Sequence, residues 1–180
     1  MTFSEVKPLH GLPTLYLNGQ PTPAIAAYVG PRYLRTFRAA GIQLYTFYVP
    51  GKWWFGPQEF DFRELDEFLA GYTASIPGGF FMPRIDISGQ GAPWWGELHP
   101  DEMNILRAIS NGQIIDQLSP NPHAVPYLGH EVNLEGLNLH SFHSRVWREE
   151  AGQAIAALVS HCEAQPYADQ IWGWHVCDGL

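Results

Sequence analysis

The sequence predicts a mixed α/β fold in which about four parallel strands carry helices on their outer side. Apolar runs of strand length alternate with segments whose apolar residues recur at helical spacing. Such alternation is typical of a parallel sheet covered by helices. An Asn18-Gly19 pair before the first run predicts a tight β-hairpin. The chain has 180 residues, of which 46% are hydrophobic, so it can bury a core as one domain.

Composition excludes several classes of function. The net charge is -8, which disfavours contact with a nucleic-acid backbone. The apolar stretches are shorter than the roughly 20 residues of a membrane helix, and the N-terminus lacks a signal-peptide pattern. Two cysteines make no disulfide framework, so we expect a cytoplasmic protein. No nucleotide-binding or serine-hydrolase motif occurs, so no cofactor is expected. Seven Trp, eight Tyr and ten Phe are instead the flat surface that a sugar would use.

The first half of the chain predicts a hairpin and three strands. The hairpin lies within Pro13 to Pro23. The strands follow as Ile25 to Val29, Ile42 to Val49 and Phe80 to Ile87. Two helices separate them. One contains Tyr33, Leu34 and Phe37 and ends at Gly41; the other follows the capping spacing Asp61-x-x-Glu64 and contains Leu65, Phe68, Leu69 and Tyr72.

The second half begins with a long irregular stretch, Ser88 to His140, which is too long for an ordinary connection. Asn111-Gly112 lies between two apolar segments there and predicts a second hairpin. A long helix is predicted from about Ser141 to Glu163, and a fourth strand from Ile171 to Val176.

The motifs of the chain, taken in order, resemble the N-terminal half of the catalytic barrel of retaining glycoside hydrolases. They are similar to β-galactosidases of family 42 and their relatives. The motifs are Asn18-Gly19, Trp53-Trp54, Phe60-Asp61-Phe62, Leu65-Asp66, Pro83-Arg84-Ile85, Pro93-Trp94-Trp95, His99-Pro100-Asp101-Glu102, Trp147-Arg148-Glu149 and Gly173-Trp174-His175.

This resemblance implies a TIM (β/α) barrel, of which the chain is one incomplete domain over residues 1–180 with a long inserted loop at 88–140. It also implies an acid/base carboxylate after strand four and a nucleophile after strand seven, about 5 Å apart in a retaining enzyme. Where the family usually has Asn-Glu, this chain has Cys177-Asp178-Gly179. We therefore expect Asp178 to be the only catalytic candidate, and the chain as given to lack the nucleophile.

Candidate ligand-binding residues gather where the predicted strands end, the usual place for a site in parallel sheets. Arg84 and Asp86 lie on one face of strand three and either orient a sugar or form a buried ion pair. Asp178 is either a general acid or a turn residue. The remaining candidates either stack on or bind a sugar, or else pack against loops and the core: Trp54, Trp94, Trp95, Trp174 and His175.

Metal binding is disfavoured, since no ligand pair among residues such as His140 and His143 has a recognised spacing. The expected partner is a carbohydrate, with no nucleic acid and no membrane. Four strands leave a barrel open, so we expect either a homodimer or a missing C-terminal half. The alternative function is a carbohydrate-binding or structural half-barrel without catalysis.

Overall fold

The computed structural model describes residues 2–49, 52–87, 93–103, 105–110, 113–118, 124–127, 130–133, 140–141 and 143–177. These residues divide into two compact units. Unit 1 comprises Met1–Trp53, Asp61–Asp86 and Ile155–Cys177, and unit 2 comprises Trp54–Phe60 and Ile87–Ala154.

The described residues form short strands and four α-helices. The strands are β1 (Ser4–Leu9), β2 (Leu12–Leu17), β3 (Gln20–Thr22), β4 (Ala26–Tyr28), β5 (Leu44–Tyr48), β6 (Trp54–Gly56), β7 (Glu59–Phe60), β8 (Phe80–Asp86), β9 (Ile105–Ser110), β10 (Gln113–Leu118), β11 (Ala124–Tyr127), β12 (His130–Asn133) and β13 (His175–Cys177). The helices are α1 (Leu34–Ala39), α2 (Arg63–Ser75), α3 (Pro93–Leu98) and α4 (Arg145–Glu163).

The N-terminal sheet has the antiparallel order β1-β2-β3. Its two turns are His10-Gly11 and Asn18-Gly19, and all four residues have positive φ, between 50° and 81°. Asn and Gly tolerate this left-handed backbone, which matches the twist of a two-residue hairpin. The hairpin predicted at Asn18-Gly19 is therefore confirmed, whereas β1 is an additional strand that the sequence analysis did not include.

The main sheet of unit 1 is parallel and has the order β13-β8-β5-β4. Strands that are neighbours in the sheet are therefore also consecutive in the order in which these four strands occur along the chain. The predicted mixed α/β fold with a four-stranded parallel sheet is confirmed. The predicted strands were too long, since the fourth runs over His175–Cys177 and Ile171 contributes only an isolated bridge to Phe81.

One face of this sheet is buried against α2. Phe47 and Phe81 alternate with more exposed neighbours on β5 and β8, and both contact Tyr72 of α2, with ring centroids 4.4 and 5.7 Å apart. The Tyr72 hydroxyl also donates to the Val29 carbonyl at 3.0 Å. The aromatic stripe of α2 predicted from helical spacing therefore forms the outer layer on this face.

Among the described residues of unit 1, a hydrophobic cluster covers the other face of the sheet at the amino ends of its strands. There Leu44 packs with Leu15 and Leu17 of β2, and Phe80 lies against this cluster. The N-terminal sheet thus closes the bottom of the parallel sheet. Towards the carboxyl ends the same face becomes more exposed, from half-buried Arg84 to exposed Asp86.

Helix α4 begins four residues later than predicted. Ser144 lies directly before it, and its Oγ accepts a hydrogen bond from the Trp147 amide at 3.0 Å. This is the geometry of an N-cap, whose side chain satisfies an amide that the helix leaves free. Ser141 and Ser144 are both cap-forming residues, so the sequence alone did not choose between them.

In unit 2, short strands pair locally. Antiparallel pairs form between β6 and β7, β9 and β10, and β11 and β12. The turn residues Asn111 and Gly112 lie outside the described residues. Among the residues that are described, no helix has both the length and the apolar character that a membrane crossing requires.

Candidate functional site

Three residues lie side by side across the parallel sheet: Arg84 and His175, which the sequence analysis predicted as site residues, and Tyr48, which it did not. Arg84 of β8 is in register with Tyr48 of β5 on one side and with His175 of β13 on the other. Residues in register on parallel strands point to the same face. We call Tyr48, Arg84 and His175 the Arg84 row; it lies on the exposed face, near the carboxyl ends of the strands.

Tyrosine rings hold the Arg84 guanidinium. Its central carbon lies 4.4 Å from the ring centroid of Tyr48 and 5.5 Å from that of Tyr28. The two rings contact each other edge to face, with centroids 6.1 Å apart. These are cation–π distances, so the rings fix the guanidinium in place while compensating part of its charge.

Arg84 has no ion-pair partner within the described part of the chain. The alternative of a buried Arg84–Asp86 ion pair is therefore not what the described residues form. The Arg84 Nε is buried and has no acceptor among them. A buried donor without an acceptor is uncommon in native proteins, because its lost hydration is not replaced. Because the Nε is enclosed, an external partner would reach the half-buried Arg84 at the terminal nitrogens of its guanidinium.

The rim of the Arg84 row is polar and aromatic. Tyr28 is 60% exposed and Tyr48 is 43% exposed, so both rings offer apolar surface to a ligand. Asp86 and His175 are also exposed. The region thus combines flat rings, a cation, a carboxylate and an imidazole within one patch of unit 1, which is chemistry that can bind the faces and the hydroxyl groups of a sugar.

Two of the predicted stacking residues are buried in unit 2. Trp95 is 1% exposed and Trp54 is 5% exposed. The Trp95 indole N–H donates to the Glu150 carboxylate at 2.7 Å, and the ring lies edge to face against Trp147. Rings so deeply enclosed cannot stack on a ligand in this conformation. We assign both to the aromatic core of unit 2, which is the packing alternative named above.

Trp94 is half-buried beside this core. Its indole N–H donates to the Trp54 carbonyl at 3.1 Å, and the two rings meet edge to face. That hydrogen bond fixes the start of α3 against β6. Trp94 therefore has a clear structural role within unit 2, with part of its ring still exposed.

Trp174 lines a cavity of about 170 Å³ in unit 1, on the stretch that leads into β13. The other lining residues are Thr2, Glu163, Ala168, Ile171, Trp172 and Gly173. Trp174 therefore lines this cavity, whereas His175, the next residue in the sequence, is in register with Arg84.

Asp178, the catalytic candidate, lies outside the described residues. Within the described part of the chain, no group of three His, Cys, Asp or Glu side chains could hold a metal ion. His140 is instead buried, with its ring stacked on Trp147 at 3.7 Å.

Sequence reasoning missed the two tyrosines that hold Arg84. Each stands at the end of a predicted strand, and this position was the available signal. It also missed a part-buried polar cluster around Asp66, which accepts a hydrogen bond from the Tyr167 hydroxyl at 2.5 Å and contacts His161 Nε2 at 2.9 Å. Burial, together with the Asp66 hydrogen bond, raises the pKa of Tyr167 far above its usual range, so its hydroxyl remains a donor.

Comparison with family models, with curated proteins and with solved structures gave no match to this chain. The geometry of the described residues is therefore the basis for assigning a function to this chain.

Proposed function

We propose that this chain is glycoside hydrolase-like and that the Arg84 row is part of its sugar-binding face, with β-galactosides as the substrate class. The observation that carries the proposal is the position of the row. Exposed tyrosines, Arg84, Asp86 and His175 gather near the carboxyl ends of parallel strands, where ligands bind in both barrels and open α/β sheets.

The order of the strands supports a (β/α)-barrel origin over a doubly wound fold. In β13-β8-β5-β4 every neighbour is consecutive within the sheet series. A doubly wound sheet reverses its order at a switch point, whereas a barrel continues in one direction. We therefore propose a partial TIM barrel in which the face carrying Arg84 is the interior face.

The chemistry of the patch supports a sugar as the ligand. The apolar faces of Tyr28 and Tyr48 suit the C–H face of a pyranose ring, and Asp86 can accept hydrogen bonds from its hydroxyl groups. Arg84 supplies charge-assisted donors beside them.

The binding test is titration of the 180-residue protein with methyl β-D-galactopyranoside, followed by NMR. We expect saturable binding that Arg84→Met weakens but does not abolish. Arg35→Met is the matched control, because Arg35 is an exposed arginine on α1, and it should leave the affinity unchanged. Failure of the wild-type protein to bind methyl β-D-galactopyranoside and its derivatives at C6 would overturn the proposal.

Hydrolysis of a chromogenic β-galactoside separates the catalytic function from a purely binding one. Asp178 follows β13 directly in sequence and is the proposed acid/base residue. If the protein turns the substrate over and Asp178→Asn abolishes turnover, Asp178 is catalytic. Binding without turnover would instead favour the alternative, a carbohydrate-binding half-barrel.

A further inference from the structure

We propose that the sugar bound at the Arg84 row carries a carboxylate, so that the site takes a uronic acid in preference to a neutral hexose. This inference rests on the proposed carbohydrate function and names its substrate class.

The described residues provide no anionic partner for the Arg84 guanidinium. Arginine carries a permanent charge and five N–H donors, and it is the side chain best matched to a carboxylate, which it binds through two parallel hydrogen bonds. Among the described residues no carboxylate forms an ion pair with Arg84, and its buried Nε has no acceptor. The Nε is enclosed by protein atoms, so a ligand carboxylate would supply the missing charge at the terminal nitrogens of the half-buried guanidinium.

Two tyrosine rings hold the Arg84 side chain in place before a ligand binds. Tyr48, at 4.4 Å, and Tyr28, at 5.5 Å, lie against the guanidinium through their ring faces. The two rings are at 85° to each other, so the planar guanidinium can lie parallel to only one of them, and a contact on its face leaves its in-plane N–H bonds available. Because the rings already hold the side chain, little conformational entropy remains to be lost when an anion binds.

The third argument concerns Asp86, which distinguishes a sugar acid from a simple anion. Asp86 is two residues beyond Arg84 on β8, about 7 Å along the strand. Its negative charge disfavours a compact, highly charged anion such as phosphate, and a carboxylate has about four acceptor positions, so one that already has a partner can still accept from a sugar hydroxyl. A ligand with one carboxylate and several hydroxyls suits both neighbours.

The test compares four ligands on the wild-type protein by NMR titration at one pH and salt concentration. They are methyl β-D-galactopyranoside, the corresponding uronate, the methyl ester of that uronate, and the galactoside 6-phosphate. We expect the uronate to bind about tenfold or more tightly than the galactoside and the ester, as a charge-assisted pair predicts.

Each outcome has a distinct meaning. Equal affinity for uronate and galactoside overturns this inference and leaves the proposed function intact. Tighter binding of the 6-phosphate than of the uronate overturns the assignment of a carboxylate. If none of the four ligands binds, the proposed function falls, and this inference falls with it.

Two variants test whether Arg84 is responsible for the preference for the uronate over the galactoside. Arg84→Met should reduce the uronate-to-galactoside affinity ratio to about one, and Arg84→Lys, which keeps the charge but not the two-pronged geometry, should give an intermediate ratio. Arg35→Met should keep the full ratio. An unchanged ratio in a folded Arg84→Met protein would overturn the inference, and the wild-type comparison decides the question if neither Arg84 variant folds.

Discussion

Cys162 is fully buried on α4, and burial raises the pKa of its thiol to about 11. Only the thiolate reacts with alkylating agents, and at pH 8 about one thiol in a thousand is ionised at such a pKa. We expect iodoacetamide at pH 8 to leave Cys162 unmodified in the native protein and to modify it in urea. Peptide mass spectrometry separates Cys162 from Cys177. Rapid labelling of Cys162 in the native protein would contradict this expectation.

Tyr48 is the residue that contacts the Arg84 guanidinium most closely. Tyr48→Phe keeps the aromatic face, so ligand affinity should stay within about twofold of the wild-type value. Tyr48→Leu removes that face, and we expect affinity to fall about two- to fivefold, corresponding to a cation–π contribution of about 0.5–1 kcal/mol.

Tyr33 provides a matched control for Tyr48, and calorimetric titration of the same ligand provides the measurement. Tyr33 is 45% exposed and also contacts an arginine, Arg32, at 4.4 Å. Tyr33→Leu should leave binding unchanged. An equal loss in the Tyr33 and Tyr48 leucine variants would remove the special role of Tyr48.

At the scale of elements, Asp66 joins α2 to the end of α4 and the segment after it. Its carboxylate contacts His161 and accepts from Tyr167, while Phe62 stacks on the His161 ring at 4.4 Å. Asp66→Ala should lower the free energy of unfolding by about 2 kcal/mol, since it leaves two polar groups without their partner.

The control for Asp66 is Glu67→Ala on the same helix. Glu67 is exposed, so its substitution should change the free energy of unfolding by less than about 0.5 kcal/mol. Urea unfolding measures both variants. Similar values for the two would mean that the Asp66 cluster contributes little to stability.

Ser144 supports the first turn of α4 through its hydrogen bond to the Trp147 amide. Ser144→Ala should cost about 1 kcal/mol of unfolding free energy, the usual effect of losing an N-cap. Ser160→Ala, an exposed position within the same helix, should have no destabilising effect because alanine is the better helix former. If thermal unfolding shows the two variants to be equally stable, the N-cap role of Ser144 is wrong.

The sequence predicted elements where local patterns are strong and failed where three-dimensional packing decides. The turn at Asn18-Gly19 needs a backbone that few residues adopt, so it was predictable. β1 was not, because its residues are nearly all exposed and lack apolar alternation. Ser141 and Ser144 have equal capping propensity, and only the folded chain shows which one caps α4.

The candidate site was predictable to a similar extent. Strand order placed Arg84, Asp86 and His175 at the carboxyl ends of the sheet. A sequence does not show which aromatic rings become enclosed, and so it left Trp54 and Trp95 open between stacking on a ligand and packing in the core; both are buried. Tyr28 and Tyr48 became recognisable only through their distances to Arg84.

At the scale of the whole molecule, β4 and β13 are the edges of the described parallel sheet. Unpaired edges favour association, and two four-stranded sheets would supply the eight strands of a closed barrel. Of the two outcomes expected for an open barrel, a homodimer and a missing C-terminal half, the homodimer predicts twice the 20.3 kDa mass of the chain in light scattering.

Variants on the two sheets test this arrangement. Val176→Asp places a charge on edge strand β13, where Val176 is 48% exposed, and should produce a monomer. Val6→Asp, at a 68% exposed position on β1, should leave the dimer intact. A wild-type protein that stays monomeric at all concentrations would argue against pairing through these edges.

The two short turns of the N-terminal sheet also set an order of events in folding. Each closes over two residues, so β1, β2 and β3 can meet after little loss of chain entropy. β8 and β13 must instead find each other across α3, β9 to β12 and α4. We expect the N-terminal sheet to form early and to offer Leu15 and Leu17 as a platform for Leu44. The pairing that places His175 beside Arg84 would then be among the last to form, so the ligand site matures at the end of folding.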